Sequence, residues 1–178
     1  EYNIYTIARN MALYAFVGLS QAVVLVIGDM NLSAGAIGGL ATITAGYLMD
    51  VHGIASWIAV IAALAVGIGC GLLNGVISSK FGINAFVVTL ATSFVFTGIN
   101  FGFTMGNSFT NIQDSFTIVG KGSLFGVIPF LFLFMIAVLL FLYFFYGRTV
   151  LGRRLLAIGQ NIDAARFSGI NDRNLKVL

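Results

Sequence analysis

Charge is scarce in this sequence. Only 8% of the 178 residues are Asp, Glu, Lys or Arg, while 59% are hydrophobic. Soluble domains carry about 25% charged residues, so a third of that density leaves too little polar surface to face water. The chain is therefore read as a membrane protein. One proline and six acidic residues exclude a disordered or acidic tail protein. Cys70 is the sole cysteine, so no disulfide closes within the chain, and its place in a long apolar run makes it packing rather than a reactive thiol. His52, beside Asp50 and Gly53, is the sole histidine, and with no second cysteine it speaks against a protein-only zinc site; no metal is expected. No acid–base pair stands near a nucleophile, so an intramembrane hydrolase has no support. The chain starts at Glu1 without a basic n-region or cleavage site and stops at Leu178 after a polar segment. We read it as an internal fragment with no visible targeting signal.

What is present is long apolar text punctuated by few charges. Uncharged runs over residues 10–28, 32–49, 53–79, 85–105 and 125–146 predict an all-α bundle of about five transmembrane spans. The second run is the weakest, because Gly35, Gly38, Gly39, Thr42 and Thr44 lower its apolarity; it could be broken or re-entrant. A β-barrel is disfavoured, since barrel strands are shorter and alternate polar with apolar residues.

Lysine and arginine set the orientation, because positively charged loops stay in the cytoplasm. After Gly147 the chain carries Arg148, Arg153, Arg154, Arg166, Arg173 and Lys176 against Asp163 and Asp172, which makes residues 148–175 a cytoplasmic segment. Counting back through five spans puts the Lys80 loop inside, and the Asp50–His52 loop and the 106–124 stretch outside. Arg9 and Lys121 are then mild exceptions on the outer side.

Glycines recur every four residues at Gly67, Gly71 and Gly75 and again at Gly98, Gly102 and Gly106. Such strips let a neighbouring backbone come close, either within one chain or in a self-association face. Asp29 is an acid between two apolar runs with no basic residue nearby, a functional candidate by default. The competing reading, favoured here, is local: Asp29 or Asn31, helped by Ser33, accepts hydrogen bonds from the free N–H groups that start the next helix. Asn74, Thr89, Thr92, Ser93, Thr97 and Asn100 put polar groups in or at the ends of the third and fourth spans. They either bond carbonyls of their own helices or line a path for a polar solute. The polar stretch from Asn107 to Ser123, with Ser108, Thr110, Asn111, Gln113, Asp114, Ser115 and Lys121, is either a solvated loop or a docking surface for an external partner.

Beyond Gly159 the tail reads as a short helix. Asn161 is a good N-cap, Asp163 lies near the positive end, Arg166 near the negative end, and Gly169 permits a left-handed stop. A helix barely two turns long is marginal alone in water, so its own bundle or another protein must hold it. The small Ala164–Ala165 face suits a groove; a juxtamembrane anchor on anionic lipid is the alternative.

These residues carry a resemblance. Gly28-Asp29-Met30-Asn31-Leu32-Ser33-Ala34-Gly35 resembles the Gly-x-Asp-Leu-Ser-x-Gly signature of the ribose/xylose/arabinose/galactoside family of ABC-transporter permeases, with an extra residue between Asp29 and Leu32. Leu73-Asn74-Gly75, Ala85 to Leu90, Gly152-Arg153-Arg154, Ala157-Ile158-Gly159, Asn161, Ala164-Ala165-Arg166 and Ser168-Gly169-Ile170-Asn171 resemble the same family in the same order. The resemblance implies part of a permease of roughly ten helices in a bacterial inner membrane, paired with a second permease copy, served by an extracytoplasmic sugar-binding protein and driven by a separate ABC ATPase. It implies that the segment from Asn161 to Ser168 and Gly169 is the coupling helix seated in that ATPase, and that ATP and Mg belong to the ATPase. The glycine-rich 67–75 run lacks the lysine of a phosphate cradle, in keeping with that division. No cofactor bound by this chain and no nucleic-acid partner is expected. The rival readings are a branched-chain amino acid ABC permease, an ion-coupled secondary transporter using Asp29, and a structural membrane scaffold.

Overall fold

The computed structural model describes residues 2–110, 112, 113, 116, 120, 122–124, 128–171, 175 and 177. Readings that rest on Glu1, Asn111, Asp114, Ser115, Lys121, Phe125, Asp172, Arg173 or Lys176 lie outside the described residues. In chain order the elements are α1 (Tyr2–Leu25), α2 (Ala34–Asp50), α3 (Ser56–Phe81), α4 (Ala85–Thr104), β1 (Ser123–Leu124), β2 (Ile128–Pro129), α5 (Phe130–Arg148), α6 (Val150–Gln160) and α7 (Ile162–Phe167). The chain divides into two units, one of Glu1–Asp29 with Thr117–Leu175, the other of Met30–Phe116 with Lys176–Leu178.

Among the described residues, α1, α3, α4 and α5 are long and apolar enough to cross a membrane. The second expected span is different. Helix α2 has 17 residues, and at 1.5 Å each it rises about 25 Å, short of a hydrocarbon layer of roughly 30 Å. Thr42 and Thr44 donate to the carbonyls of Gly38 and Leu40, four residues back on their own helix. The expected start of the first span at Asn10 also moves, because α1 begins at Tyr2 and Arg9 lies within it. One exposed arginine does not stop a helix, since its long stem lets the charge leave the apolar face.

In the first unit α1 packs along α5, with the rings of Phe16 and Phe134 5.6 Å apart. The antiparallel β1–β2 pair sets Ser123 opposite Pro129 and Leu124 opposite Ile128. Pro129 then starts α5, where a residue without an N–H costs nothing. Helix α5 is apolar all round, yet only Met135 on it is buried. A helix of that kind belongs inside a large protein or in lipid, and the surroundings that cover it here lie outside the chain's own contacts.

In the second unit α2 packs against both α3 and α4. Its core is small: Ala45, Met49 and Ala59, flanked by Leu48, Ala63 and Ile112. Of the stretch read as a loop or docking surface, Thr110 and Gln113 are strapped down. The Gln113 carboxamide oxygen accepts from Ser56 N–H (3.1 Å) and Ser56 Oγ (2.8 Å), and its Nε2 donates to the Ile54 carbonyl (3.2 Å). Thr110 N–H reaches Asp50 Oδ2 at 3.1 Å, and Tyr47 meets His52, Phe103 and Phe109 edge to face. Gly46 is needed here, because a Cβ on it would stand 2.9 Å from the Phe109 ring.

Candidate functional site

The tail is built by successive caps. Helix α5 ends at Arg148 and Thr149 turns to extended backbone; its hydroxyl donates to Phe145 O (2.6 Å) and accepts from Gly152 N–H (3.0 Å). That makes Thr149 the N-cap of α6, a helix missing from the sequence reading. The signal was present in Thr149 ahead of an amphipathic run: Gly152, Leu155, Leu156 and Gly159 share one face by spacing, while Arg153 and Arg154 are exposed. A Cβ on Gly152 would collide with the backbone of Phe145 and Tyr146, and one on Gly159 with the Val26 carbonyl. Gly159, expected as part of a partner-facing segment, therefore abuts the end of α1.

The short helix follows the sequence reading closely. Asn161 Oδ1 accepts from the N–H groups of Asp163 and Ala164, both at 3.0 Å. At the other end Gly169 takes φ +79°, its N–H bonds Arg166 O (2.9 Å) and Ile170 N–H bonds Ala165 O (3.0 Å), a Schellman stop. Ser168 Oγ donates to Ala164 O. Arg166 and Asp163 lie 3.8 Å apart on the surface. Ala165 corrects the expected groove-facing Ala164–Ala165 pair: it is 4% exposed and turned into its own chain, whereas Ala164 is exposed and Phe167 is 94% exposed. The reason is geometric: at 3.6 residues per turn the adjacent Ala164 and Ala165 point about 100° apart, and Phe167, two beyond Ala165, points nearly opposite to it.

Among the polar residues of the second unit, Asn31, Ser33 and Asn74 are hydrogen-bonded in series, while Thr89 and Asn100 each bond backbone at or near the start of α2. Asn31 Oδ1 accepts from Ser33 N–H (2.9 Å) and Ser33 Oγ (2.8 Å), and Asn74 Nδ2 donates to Ser33 Oγ at 2.8 Å. Thr89 Oγ1 donates to Ala85 O and accepts from Leu32 N–H at 3.1 Å. Asn100 Nδ2 reaches Ala36 O at 3.2 Å and lies 2.9 Å from where a Gly39 Cβ would be. Ser33, Asn74 and Thr89 are buried. Asn74 Oδ1 and Asn100 Oδ1 bond no protein group among the described residues. Thus Asn31, not a helix-capping Ser33 side chain, orders the entry to α2. Asp29 belongs to the end of α1: Gly28 takes φ +80°, Gly28 N–H bonds Leu25 O and Asp29 N–H bonds Val24 O (3.3 Å). Thr92 and Thr97 bond their own helix, at Thr89 O and Ser93 O.

A clean test of this set is Thr89→Val, which keeps the shape and deletes the acceptor for Leu32 N–H. It is expected to lower stability by about 1–3 kcal/mol, read as a lower thermal midpoint in detergent. Thr97→Val, which removes a bond only to its own helix, is expected to leave the midpoint nearly unchanged.

The glycine strips meet no neighbour within this chain among the described residues, which leaves a self-association face as their other reading. A Cβ at Gly67, Gly71, Gly98 or Gly102 meets nothing within 4 Å, so among the described residues no neighbour uses them. Gly67 instead borders an open apolar groove of about 490 Å³ between α2 and α3, with Ala41, Ala45, Ala63 and Leu64. Gly75 lies half-buried on α3.

Residues 3–178 match the family described as branched-chain amino acid transport system / permease component. The chain is 33% identical over 179 residues to the ribose import permease protein RbsC of Bacillus subtilis (strain 168), covering 99% of this chain and 55% of the relative. It is 30% identical over 170 residues to the D-allose transport system permease protein AlsC of Escherichia coli (strain K12), covering 95% and 52%. To the autoinducer 2 import system permease protein LsrD of Salmonella paratyphi B (strain ATCC BAA-1250 / SPB7) it is 32% identical over 160 residues, covering 86% and 48%. The chain spans about half the length of these curated relatives. No solved structure matches it.

Proposed function

We propose, from the premise that this chain belongs to the family of branched-chain amino acid transport system permease components, that it is part of the membrane permease of an ATP-driven importer for monosaccharides of the ribose type. Its long apolar helices and its relatives make it a multi-pass membrane protein. The family description includes amino acid carriers, but the relatives matched across nearly the whole chain are named for ribose, allose and autoinducer 2 import. That is the observation that carries the sugar reading over the branched-chain amino acid reading.

In this reading the membrane is the bacterial inner membrane, with α6 and α7 on the cytoplasmic side. The chain pairs with a second permease copy and receives solute from an extracytoplasmic sugar-binding protein. ATP and Mg are used by a separate ATPase subunit, against which the exposed residues of α7, Asp163, Ala164, Arg166 and Phe167, would seat. The double capping of α7 supports this role, because a six-residue helix needs such caps to keep its shape for a partner. Nucleotide-driven closure of the ATPases would then bias the permease between two global states.

The test is ATP-driven uptake of labelled ribose by the full-length permease reconstituted with its co-encoded ATPase and binding protein. Uptake that needs ATP and survives an uncoupler is expected; uptake that collapses with the proton gradient would sink this reading in favour of an ion-coupled carrier. Asp29→Asn is expected to transport at the parent rate, because Asn keeps an acceptor oxygen for the backbone N–H groups of this turn and Asn31 already serves the start of α2. Loss of uptake in that variant would assign a charge-dependent role to Asp29.

A further inference from the structure

We infer that Gly159 is the positioning residue through which displacement of α7 reaches the end of α1. The inference rests on the permease reading above and adds the route inside this chain.

The joint between α6 and α7 is stiff. Asn161 N–H bonds Ala157 O (3.1 Å), Asn161 O accepts from Ala165 N–H (3.0 Å), and the Asn161 side chain holds the N–H groups of Asp163 and Ala164 in the next turn. One residue thus fastens the last turn of α6 to the first of α7, so the two helices move together. Gly152 and Gly159, seven residues apart and so on one face of α6, are the glycines of that helix whose added Cβ would strike other backbone. At Gly159 the position of a Cβ falls on the Val26 carbonyl and 3.4 Å from Ile27 Cα. No side chain stands between the two backbones, and no rotamer change can absorb a shift. Gly159 is exposed on its other side, but backbone against backbone leaves nothing compressible at this contact, so a displacement there is passed on.

The receiving end is equally defined. Val26 lies in the turn that closes α1, just past Val24 and Leu25, whose carbonyls accept from Asp29 and Gly28 N–H, and a Cα–H···O contact from Gly159 suits its carbonyl oxygen. Immediately beyond, Gly28 at φ +80° makes the left-handed stop of α1. A push arriving at Val26 and Ile27 therefore lands on the turn that ends a membrane helix. The glycines with open surroundings, Gly67, Gly71, Gly98 and Gly102, offer no comparable contact.

The experiment uses the full transporter in proteoliposomes, comparing parent, Gly159→Ala and Gly71→Ala, with uptake and ATP hydrolysis measured on the same vesicles. For Gly159→Ala the expected result is an assembled complex whose solute taken up per ATP hydrolysed falls on the order of tenfold. Gly71→Ala is expected to keep the parent ratio. An unchanged ratio in Gly159→Ala, whether both rates hold or both fall together, overturns the inference. Should that variant fail to assemble, hydrogen–deuterium exchange on the parent complex decides: nucleotide trapping is expected to alter protection over residues 24–29 together with 157–167, and an unaltered 24–29 overturns it. A parent complex with no ATP-driven uptake would instead defeat the permease reading, and the inference with it.

Discussion

A Gly152→Ala chain is expected to reach the membrane in normal amount and to lose nearly all uptake. The added Cβ would face the Phe145 carbonyl and, at 2.6 Å, the Cα of Tyr146. Both are backbone, so nothing can rotate aside. Either α6 lifts away from the end of α5, or the Thr149 cap opens and Gly152 N–H loses its 3.0 Å bond. Overpacking of this kind costs about 1–3 kcal/mol, and loss of a cap about 1 kcal/mol. The apolar spans that drive insertion are untouched, which is why membrane level and uptake should separate. Membrane immunoblots beside ribose uptake make the check, with Gly147→Ala as the control, since a Cβ there meets nothing within 4 Å. Normal uptake by Gly152→Ala would show that the angle between α5 and α6 does not matter to transport.

Ala165→Trp is expected to do comparable damage by another route. Ala165 is the buried residue of α7, and its carbonyl also receives Ile170 N–H in the terminal motif. A six-residue helix cannot persist on local bonds alone, so it depends on lying against its own chain, and an indole at Ala165 would prise it off. Uptake should fall to background while the protein stays in the membrane, and trypsin should cut at the exposed Arg166 faster than in the parent. Uptake at the parent rate with unchanged cleavage would mean that α7 does not need its seat. The effect runs through the chain's own packing, because Ala165 faces inward.

Features governed by composition and local chemistry were legible in the sequence. Four of the five apolar runs coincide with helices long and apolar enough to cross a membrane, while the second, doubted for its glycines and threonines, is an unbroken helix that falls short by length. Asn161 and Gly169 announced both ends of α7, because cap and left-handed stop are set by the residues themselves. Contacts across distance were not legible. Asn74 and Ser33 are 41 positions apart, Leu32 and Thr89 57, and no local pattern pairs them. Small-residue spacing by itself does not say which neighbour a strip meets. Gly67, Gly71, Gly98 and Gly102 face open space within this chain, while Gly152 and Gly159 in the charged tail meet opposing backbone that only the fold supplies. Helix α6 escaped notice because its apolar face is interrupted by Arg153-Arg154, which reads as a charged linker until Thr149 is recognised as its start.

Gln113 bears on whatever visits that end of the molecule. Both ends of its carboxamide are already engaged, by Ser56 on one side and Ile54 on the other. A visiting protein could recruit this side chain only by first undoing the start of α3. The rim beside α2 and α3 is thus firm ground that favours a visitor already matched in shape over one that moulds the surface as it lands.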